Sequence, residues 1–506
     1  MIHTTENYTA TLPHSLWTAE QVKQAEPQLA ADAGVSLYQL MVRAGESAFA
    51  LLQARFPNAQ KLLIVVGGGN NGGDGLVIAR LAYQAGYQVS LLLHGDPDRF
   101  PDEARQAWVA LPKGIVSITD IAALTVVDVI VDGLLGAGLT GAVRSDAAQL
   151  IQTLNDHPAP VLALDIPSGL SADTGQALGV ALRANVTLTF IGLKQGLLTG
   201  QAANYCGELY YSDLGLSNQL VDWPKDDLER LDYSQLKSWL SPRARTAHKG
   251  LFGRVSLIGG DLGTPGAIRL AAEACQRVGA GLVHVVTHGE HLPIVLNNRP
   301  ELMAQNVSLN DEASLKRVVS SADVLVLGPG LGQSDWSKWL FQQITACEQP
   351  LVLDADGLNL LAQSPLVRDN WILTPHPGEA ARLLKCSVAD IEQDRFAAVR
   401  AIAARYQAIT LLKGAGSLVA EPNGRVRLMV VGNPGMASGG MGDVLSGMIG
   451  GLLAQHVPAF DALCLAVCIH GQAADVAALA GERGMLASDL LPAIRALVNP
   501  EDEEKR

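Results

Sequence analysis

Two short runs, Val127-Asp-Val-Ile-Val-Asp132 and Pro160-Val-Leu-Ala-Leu-Asp165, place aliphatic side chains at successive positions and end on an aspartate. An extended segment that is apolar on both faces must be covered on both, and this happens where helices flank a parallel sheet. Similar runs recur at Leu62–Val66, Val89–Leu93, Val186–Phe190 and Glu208–Tyr211, separated by helical patterns. Thr18-Ala-Glu-Gln21 has the form of a capping box that opens a helix, and Pro27 limits how far that helix runs straight. The rhythm predicts a doubly wound α/β sheet with right-handed crossovers.

At Asp222-Trp-Pro224-Lys-Asp-Asp-Leu-Glu-Arg-Leu-Asp232 the chain becomes charged and loses its strand signal, so a linker is placed there. The strand-and-helix rhythm then restarts at Arg254–Ile258, Leu282–Val286, Val324–Leu327, Leu351–Leu353, Trp371–Leu373 and Ile409–Leu412. The expected organisation is a first α/β domain over 1–221, a linker over 222–232 and a second, different α/β domain over 233–500. The 506 residues, 48% hydrophobic and 17% charged, are ample for two cores.

A net charge of -13 argues against a nucleic-acid partner, which clustered Lys and Arg would hold. Small anions stay possible, because backbone N–H groups bind them without net positive charge. The six cysteines are scattered without metal-site spacing and are expected to be buried, reduced thiols. No basic-then-apolar leader opens the chain, and the longest apolar stretch, Val444–Ala454, is interrupted by Gly447, Gly450 and Gly451. These features predict a cytoplasmic protein with no membrane contact.

Ligands of open α/β sheets sit at the carboxyl ends of strands. In the first half three such ends carry chemistry: Gly67–Gly75 (GGGNNGGDG), Asp132–Gly141 and Asp165-Ile-Pro-Ser168-Gly169. The spacing Gly67-x-Gly69-x-x-Gly72 permits a dinucleotide loop, and Asp96 could then serve the ribose of a hydride carrier. That reading leaves Asp132 and Asp165 without a task. Two carboxylates beside an Asn amide and peptide carbonyls suit an oxygen-ligand cation site together with an acid/base.

These loops resemble the NAD(P)H-hydrate epimerase family: NNGGDG is complete at Asn70–Gly75, the aspartate and glycine-rich loop appear as Asp132 with Gly136–Gly141, and DxPSG as Asp165–Gly169. Leu40-Met41-Val42-Arg43-Ala44-Gly45 matches the family's helix, with Val42 and Arg43 in place of a common polar pair. The resemblance implies that the dinucleotide is bound as substrate. It assigns Asn70, Asn71, Gly72, Gly73, Asp74, Gly136, Ala137, Gly138, Leu139, Thr140, Gly141, Ala142 and Asp165 to the hydrate. It assigns Asn71, Asp132 and Ser168 to K⁺, with Asp165 catalytic at the damaged ring.

In the second half, Gly432-Asn-Pro-Gly-Met-Ala-Ser-Gly-Gly-Met-Gly442-Asp443 runs a glycine loop into a helix whose first turn holds Asp443. Unfilled N–H groups and the helix dipole make a receptor for a moving phosphoryl group, and a carboxylate beside it can take a hydroxyl proton. Lys413-Gly414-Ala415-Gly416-Ser417 follows a strand and suits a nucleotide's phosphates, without Walker A spacing. His376, between two prolines in Thr374-Pro-His-Pro-Gly-Glu379, has a restricted backbone that suits a site residue.

This half resembles the ribokinase-like fold, and within it the ADP-dependent (S)-NAD(P)H-hydrate dehydratases. His248-Lys249-Gly250, Gly259-Gly260, Thr264-Pro-Gly-Ala267, Gly328-Pro-Gly-Leu-Gly332, Asp354-Ala-Asp-Gly357, TPHPGE, KGAGS and NPGMASGGMGD all occur in order. The resemblance implies that Ala267, Gly330, His376 and Asp443 contact the hydrated coenzyme, and that Lys413, Gly414, Ala415, Gly416, Ser417 and Gly442 contact the adenine nucleotide. Asp443 is then the base, with Mg²⁺ accompanying ADP. The whole chain is expected to epimerise the hydrates of NADH and NADPH (NADHX and NADPHX), dehydrate the S form with ADP to AMP and phosphate, and form a homo-oligomer. Two other readings stay open: a small-alcohol kinase with a regulatory N-terminal module, and a nucleotide-sensing protein without turnover.

Overall fold

The computed structural model describes residues 8–119, 126–223 and 227–500. The chain forms two compact units, Met1–Leu228 and Glu229–Arg506.

The first unit contains, in order, β1 (Leu16–Trp17), α1 (Ala19–Asp32), α2 (Leu37–Arg55), β2 (Lys61–Gly67), α3 (Asn70–Gln84), β3 (Gln88–His94), α4 (Asp102–Val109), β4 (Val116–Ile118), β5 (Val129–Gly133), α5 (Ser145–Asn155), β6 (Val161–Leu164), β7 (Val186–Phe190), β8 (Leu193–Lys194), β9 (Glu208–Ser212) and α6 (Ser217–Asp222). Seven strands form a wholly parallel sheet in the order β4-β3-β2-β5-β6-β7-β9. Leu62, Ile64 and Val66 of β2 join one apolar core, and Leu63 and Val65 join another, so alternate side chains feed the two faces. The capping box at Thr18 is present, and α1 continues through Pro27. Strand order reverses between β2 and β5, which places Gly67 and Asp132 at the switch point. Arg43 donates to the Leu214 carbonyl (2.8 Å), so the departure noted in α2 ties that helix to a loop of its own unit.

The second unit contains β10 (Leu228–Leu231), α7 (Tyr233–Leu236), β11 (Arg254–Ile258), α8 (Pro265–Arg277), β12 (Leu282–Thr287), α9 (Leu292–Leu296), β13 (Met303–Asn306), α10 (Glu312–Val319), β14 (Val324–Leu327), α11 (Asp335–Thr345), β15 (Leu351–Leu353), α12 (Ala355–Gln363), β16 (Trp371–Leu373), α13 (Pro377–Leu384), α14 (Val388–Gln393), α15 (Arg395–Tyr406), β17 (Ile409–Leu412), β18 (Ser417–Ala420), β19 (Val426–Met429), α16 (Met441–Ala454), α17 (Ala459–Ala477) and α18 (Leu490–Leu497). Its ten-stranded sheet runs β10-β19-β18-β17-β16-β15-β14-β11-β12-β13. The strands from β13 to β17 are parallel, and the hairpin β18-β19 is antiparallel. Order reverses between β11 and β14, the second switch point.

Three expectations need correction. Residues 228–231, inside the segment read as a linker, are a strand at the edge of the second sheet, where Leu228 and Leu231 bury their side chains; Pro224, Lys225 and Asp226 lie outside the described residues. Among the described residues the helical segment Ala459–Ala480 is long and apolar enough to cross a membrane, but about two-thirds of its most apolar stretch is buried, as in a core helix. Cys386 is exposed and Cys347 half-buried, while the other four cysteines are buried. Short strands such as β13 at the sheet edge and the hairpin β18-β19 went unread because their few residues lack a run long enough to signal.

Candidate active sites

In the first unit β2 runs directly into α3 through Gly68 and Gly69, and no side chain caps the helix. Its first N–H groups therefore face an open site, the arrangement that receives anions. The turn needs glycine sterically: a methyl on Gly72 would stand 2.2 Å from the Gly67 carbonyl oxygen, and one on Gly67 1.8 Å from that of Leu134. Beyond Gly68 and Gly69 there is only open space.

Asp132, at the end of β5, is fully buried. Its carboxylate accepts hydrogen bonds from Ser168 Oγ (2.6 Å), Ser168 N (2.8 Å) and Leu134 N (3.2 Å). Burial nevertheless pushes it up to about 6 against those bonds. Asn71 donates to the Leu135 carbonyl (3.2 Å), yet its Oδ1 is buried and has no hydrogen-bond partner. Gly136 packs against Asn71, where an added methyl would lie 3.0 Å from Asn71 Cβ. Asn71, Asp132 and Ser168 are thus brought together, and the orphaned amide oxygen asks for a cation. Gly138, Thr140, Gly141 and Ala142 form an exposed rim, with Ala137 and Leu139 half-buried.

Asp165 follows β6 with φ at 62°, the left-handed region that is uncommon outside glycine but that aspartate can adopt. Its Oδ1 accepts from Lys194 Nζ, from Thr189 Oγ1 (3.2 Å) and from Phe190 N (3.2 Å). Lys194 is 1% exposed and also donates to the Phe190 carbonyl (2.9 Å). Asp74, half-buried near the start of α3, is pushed well above the usual carboxylate range by burial and by the charges of Asp165 and Glu26. Glu26 is pushed up by burial as well. The buried Lys194 ammonium thus pairs with Asp165, and its charge also reaches Glu26 and Asp74. Lys194 and Glu26 escaped the sequence reading, because neither sits in a motif. Asp96, the alternative ribose acid, is exposed and accepts from Asp98 N (3.0 Å) in its own turn.

In the second unit α16 starts at Gly440, whose φ of 90° suits glycine, again without a side-chain cap. Gly447 lets α16 lie against α8; a methyl there would stand 1.9 Å from the Ala271 carbonyl oxygen. Asp443 is half-buried in the first turn and pushed up to about 7, by burial first and then by Asp354. Beneath it lies an ion pair: Lys413 Nζ donates to Asp354 Oδ1 (2.7 Å), and Ser446 Oγ to Asp354 Oδ2 (2.5 Å). Burial alone would raise Asp354, but Lys413, Ser446 and Thr374 hold it below its ordinary value. A methyl on Gly442 would stand 3.4 Å from Lys413 Nζ, so the glycine turn rests over this pair. Glu379 Oε2 lies 3.8 Å from the same Nζ and is pushed up to about 7 by burial.

Lys413 thus faces two buried carboxylates, and Ser417 Oγ donates to the Gly414 carbonyl (3.2 Å) within the same loop. Arg395, 1% exposed, donates to the Lys413 carbonyl (3.2 Å) and fills the space beside Gly414, so it shapes this loop from behind. His376 caps α13: its Nδ1 accepts from Gly378 N (2.9 Å), and burial with nearby Lys413 favours the neutral ring. Gly330, with φ at 59°, sits against Thr264 and Ala267, and its carbonyl accepts from Asp261 N (2.6 Å) and Thr264 Oγ1 (2.7 Å). His470, buried behind the α16 turn, is pushed down to about 4 by burial and by Lys413. Arg395 and His470 carried no signal in the sequence.

Comparison with known proteins matches residues 37–196 to a family model described as YjeF-related protein N-terminus, and residues 255–496 to one described as NAD(P)H-hydrate dehydratase. The chain is 46% identical, over 99% of its own length and 98% of the other's, to the bifunctional NAD(P)H-hydrate repair enzyme Nnr of Escherichia coli (strain K12). It is 48% identical, over 96% and 99%, to that of Coxiella burnetii. A solved ribokinase-like superfamily protein from Enterococcus faecalis is 29% identical, covering 55% of this chain and 97% of its own, with a TM-score of 0.51.

Proposed function

Since the chain belongs to the family of bifunctional NAD(P)H-hydrate repair enzymes, we propose that its first unit interconverts the R and S hydrates of NADH and NADPH at Asp165 and that its second dehydrates the S form at Asp443, consuming ADP. The observation that carries the reading is Asp443, in the first turn of an uncapped helix next to Gly442, which rests over the Lys413–Asp354 pair whose charges Asp443 feels.

In the hydrate, the hydroxyl and the ring nitrogen share one carbon. Asp165, oriented by Lys194, Thr189 and Phe190, takes the hydroxyl proton. The carbon–nitrogen bond then opens with its electron pair on nitrogen, and reclosure on the other face returns the proton and gives the other epimer. Asp132, Ser168, the Leu135 carbonyl and the partnerless Asn71 Oδ1 suit K⁺. When bound, K⁺ supplies a fixed positive charge that compensates buried Asp132. Asp132→Asn should abolish the response of R-epimer consumption to added K⁺; an unchanged K⁺ titration would place the ion elsewhere.

In the second unit Asp443 takes the hydroxyl proton of the S hydrate, whose oxygen receives the β-phosphoryl group of ADP at the N–H groups of the α16 turn. Phosphate is a better leaving group than hydroxide, so elimination follows. Among the described residues no cluster of three His, Cys, Asp or Glu side chains forms a ready metal cage. Mg²⁺ therefore fits as a companion of the nucleotide, supplying charge compensation for the transferring phosphoryl group. Ala267, Gly330 and His376 line the hydrate side, with Gly442 and the 413–417 loop on the nucleotide side. The partners are small molecules, in the cytoplasm.

The test mixes the pure protein with racemic NADH hydrate, Mg²⁺ and K⁺, with and without ADP, and follows the reduced-nicotinamide absorbance. Full recovery that requires ADP is the expected result. Recovery stalling near half would remove the epimerase assignment, and no recovery with any adenine nucleotide would favour a small-alcohol kinase.

A further inference from the structure

Dehydration of the hydrate removes two groups from neighbouring ring carbons: the hydroxyl from one and a proton from the next. Asp443 accounts for the hydroxyl proton only. Once the phosphate has left, with the ring nitrogen's electron pair forming an iminium, the adjacent carbon must still lose its proton so that its C–H pair becomes the ring double bond. This step needs a second base within the same site.

The carboxylates around that site differ in how they are occupied. Asp354 is fully buried and held by Lys413, Ser446 and Thr374. Glu379 is buried, accepts from His376 N (2.8 Å) and faces Lys413. Asp261 is held by His288 (2.9 Å), Leu262 N (2.8 Å) and Ser337 (3.2 Å). The His376 Nδ1 is taken by Gly378 N.

Asp356 is different. It is half-buried in the first turn of α12, next to the strand end that carries Asp354. Its Oδ2 accepts from Gly332 N (2.9 Å), in the loop that holds Gly330, and its Oδ1 from Asn359 Nδ2 (3.0 Å). Asn359 in turn accepts from Arg382 Nε (3.0 Å), whose guanidinium donates to the Gly378 carbonyl (2.8 Å) beside His376. Asp356 therefore stands between the Gly330 loop and the His376 turn, the two segments assigned to the hydrate. Its charge also reaches Asp443. Each oxygen accepts one bond from a neutral donor, which leaves further acceptor capacity.

Resting on the dehydratase reading above, we propose that Asp356 is the second catalytic residue of this site, the base that takes the ring-carbon proton after phosphate departs. The balance closes without another reactant: the hydroxyl proton goes to Asp443, phosphate leaves with the C–O pair, the ring-carbon proton goes to Asp356, and the C–H pair becomes the double bond.

Asp356→Asn keeps an acceptor for Gly332 N and removes the base. An iminium that is not deprotonated is recaptured by water, regenerating hydrate, so ADP is consumed without coenzyme being restored. The experiment measures AMP formed and NADH recovered in the same reaction, for wild type and for Asp356→Asn and Asp356→Glu, with melting curves for each. Wild type should give about one AMP per NADH. Asp356→Asn should lose roughly 10²-fold in NADH formation while losing far less in AMP, so that the ratio rises well above one. Asp356→Glu should bring the ratio back toward one. A ratio that stays at one in Asp356→Asn, whatever the rate, overturns the proposal and makes the residue a loop tie or the departing phosphate the base. Should Asp356→Asn fail to fold, a ratio of one in folded Asp356→Glu with unchanged NADH formation overturns it equally, since a displaced base must slow the step. Absence of ADP-dependent NADH recovery in wild type would instead sink the dehydratase reading itself.

Discussion

Asp443→Asn should lower ADP-dependent recovery of NADH from the S hydrate by at least about 10²-fold while R-to-S conversion continues, because a general base of this kind contributes roughly 10² to 10⁴. The asparagine keeps the size of the side chain in the first turn of α16 and can no longer accept the hydroxyl proton. The pH dependence carries the same information. Burial and Asp354 push Asp443 up to about 7, and a base acts only when ionised. Dehydration in the wild type should therefore fall about ten-fold per pH unit below about 7 and level off above it. The measurement is kcat for the S epimer between pH 5 and 9, followed by absorbance, beside chromatographic separation of the epimers. Loss of both activities in the variant would remove the division of labour between the two units. A flat profile through pH 7 would mean that a different group takes the proton.

Asp165→Asn should abolish use of the R epimer while the S epimer is dehydrated at the wild-type rate. The expected loss is again roughly 10² or more. Two structural facts make this the sharper test of the first unit. Asp165 holds a left-handed φ uncommon outside glycine, and its Oδ1 gathers Lys194, Thr189 Oγ1 and Phe190 N on one oxygen. Asparagine tolerates that backbone better than most residues, so the fold should survive. It would leave the Lys194 ammonium buried without its carboxylate, and a lower melting temperature should accompany the lost activity. With racemic hydrate and ADP, recovery in this variant should stop near half. Normal consumption of the R epimer would show that Asp74 or another carboxylate of the group is the acid/base.

The parts of the two sites that could be read along the chain are those in which chemistry and local conformation share one short segment. Asn70–Gly75, Asp165–Gly169 and Gly439–Asp443 each hold a turn, its glycines and its reactive side chain within a few residues. The strand runs before the first two were legible for a related reason: a strand covered on both faces has no polar alternation to confuse with a loop. Arg43, read only as a departure from a pattern, proved to tie α2 to the Leu214 carbonyl. The strand at 228–231 stayed hidden because its charged neighbours outweighed two buried leucines.

By itself, then, the sequence determined the parallel first sheet and the parallel part of the second, the strand ends that hold Asp132 and Asp165, and the glycine turn that holds Asp443. Only the tertiary structure decided which charges those acids meet. Lys194 lies 29 residues beyond Asp165 and reaches it through β8, Lys413 lies 59 residues beyond Asp354, and Asp356 comes between Gly332 and the His376 turn through Asn359 and Arg382. The reason is physical: backbone turns are specified by neighbouring residues, whereas the proton affinity of a carboxylate is specified by burial and by charges a few ångströms away in space. Parallel strands bring such residues together only after the whole sheet has formed.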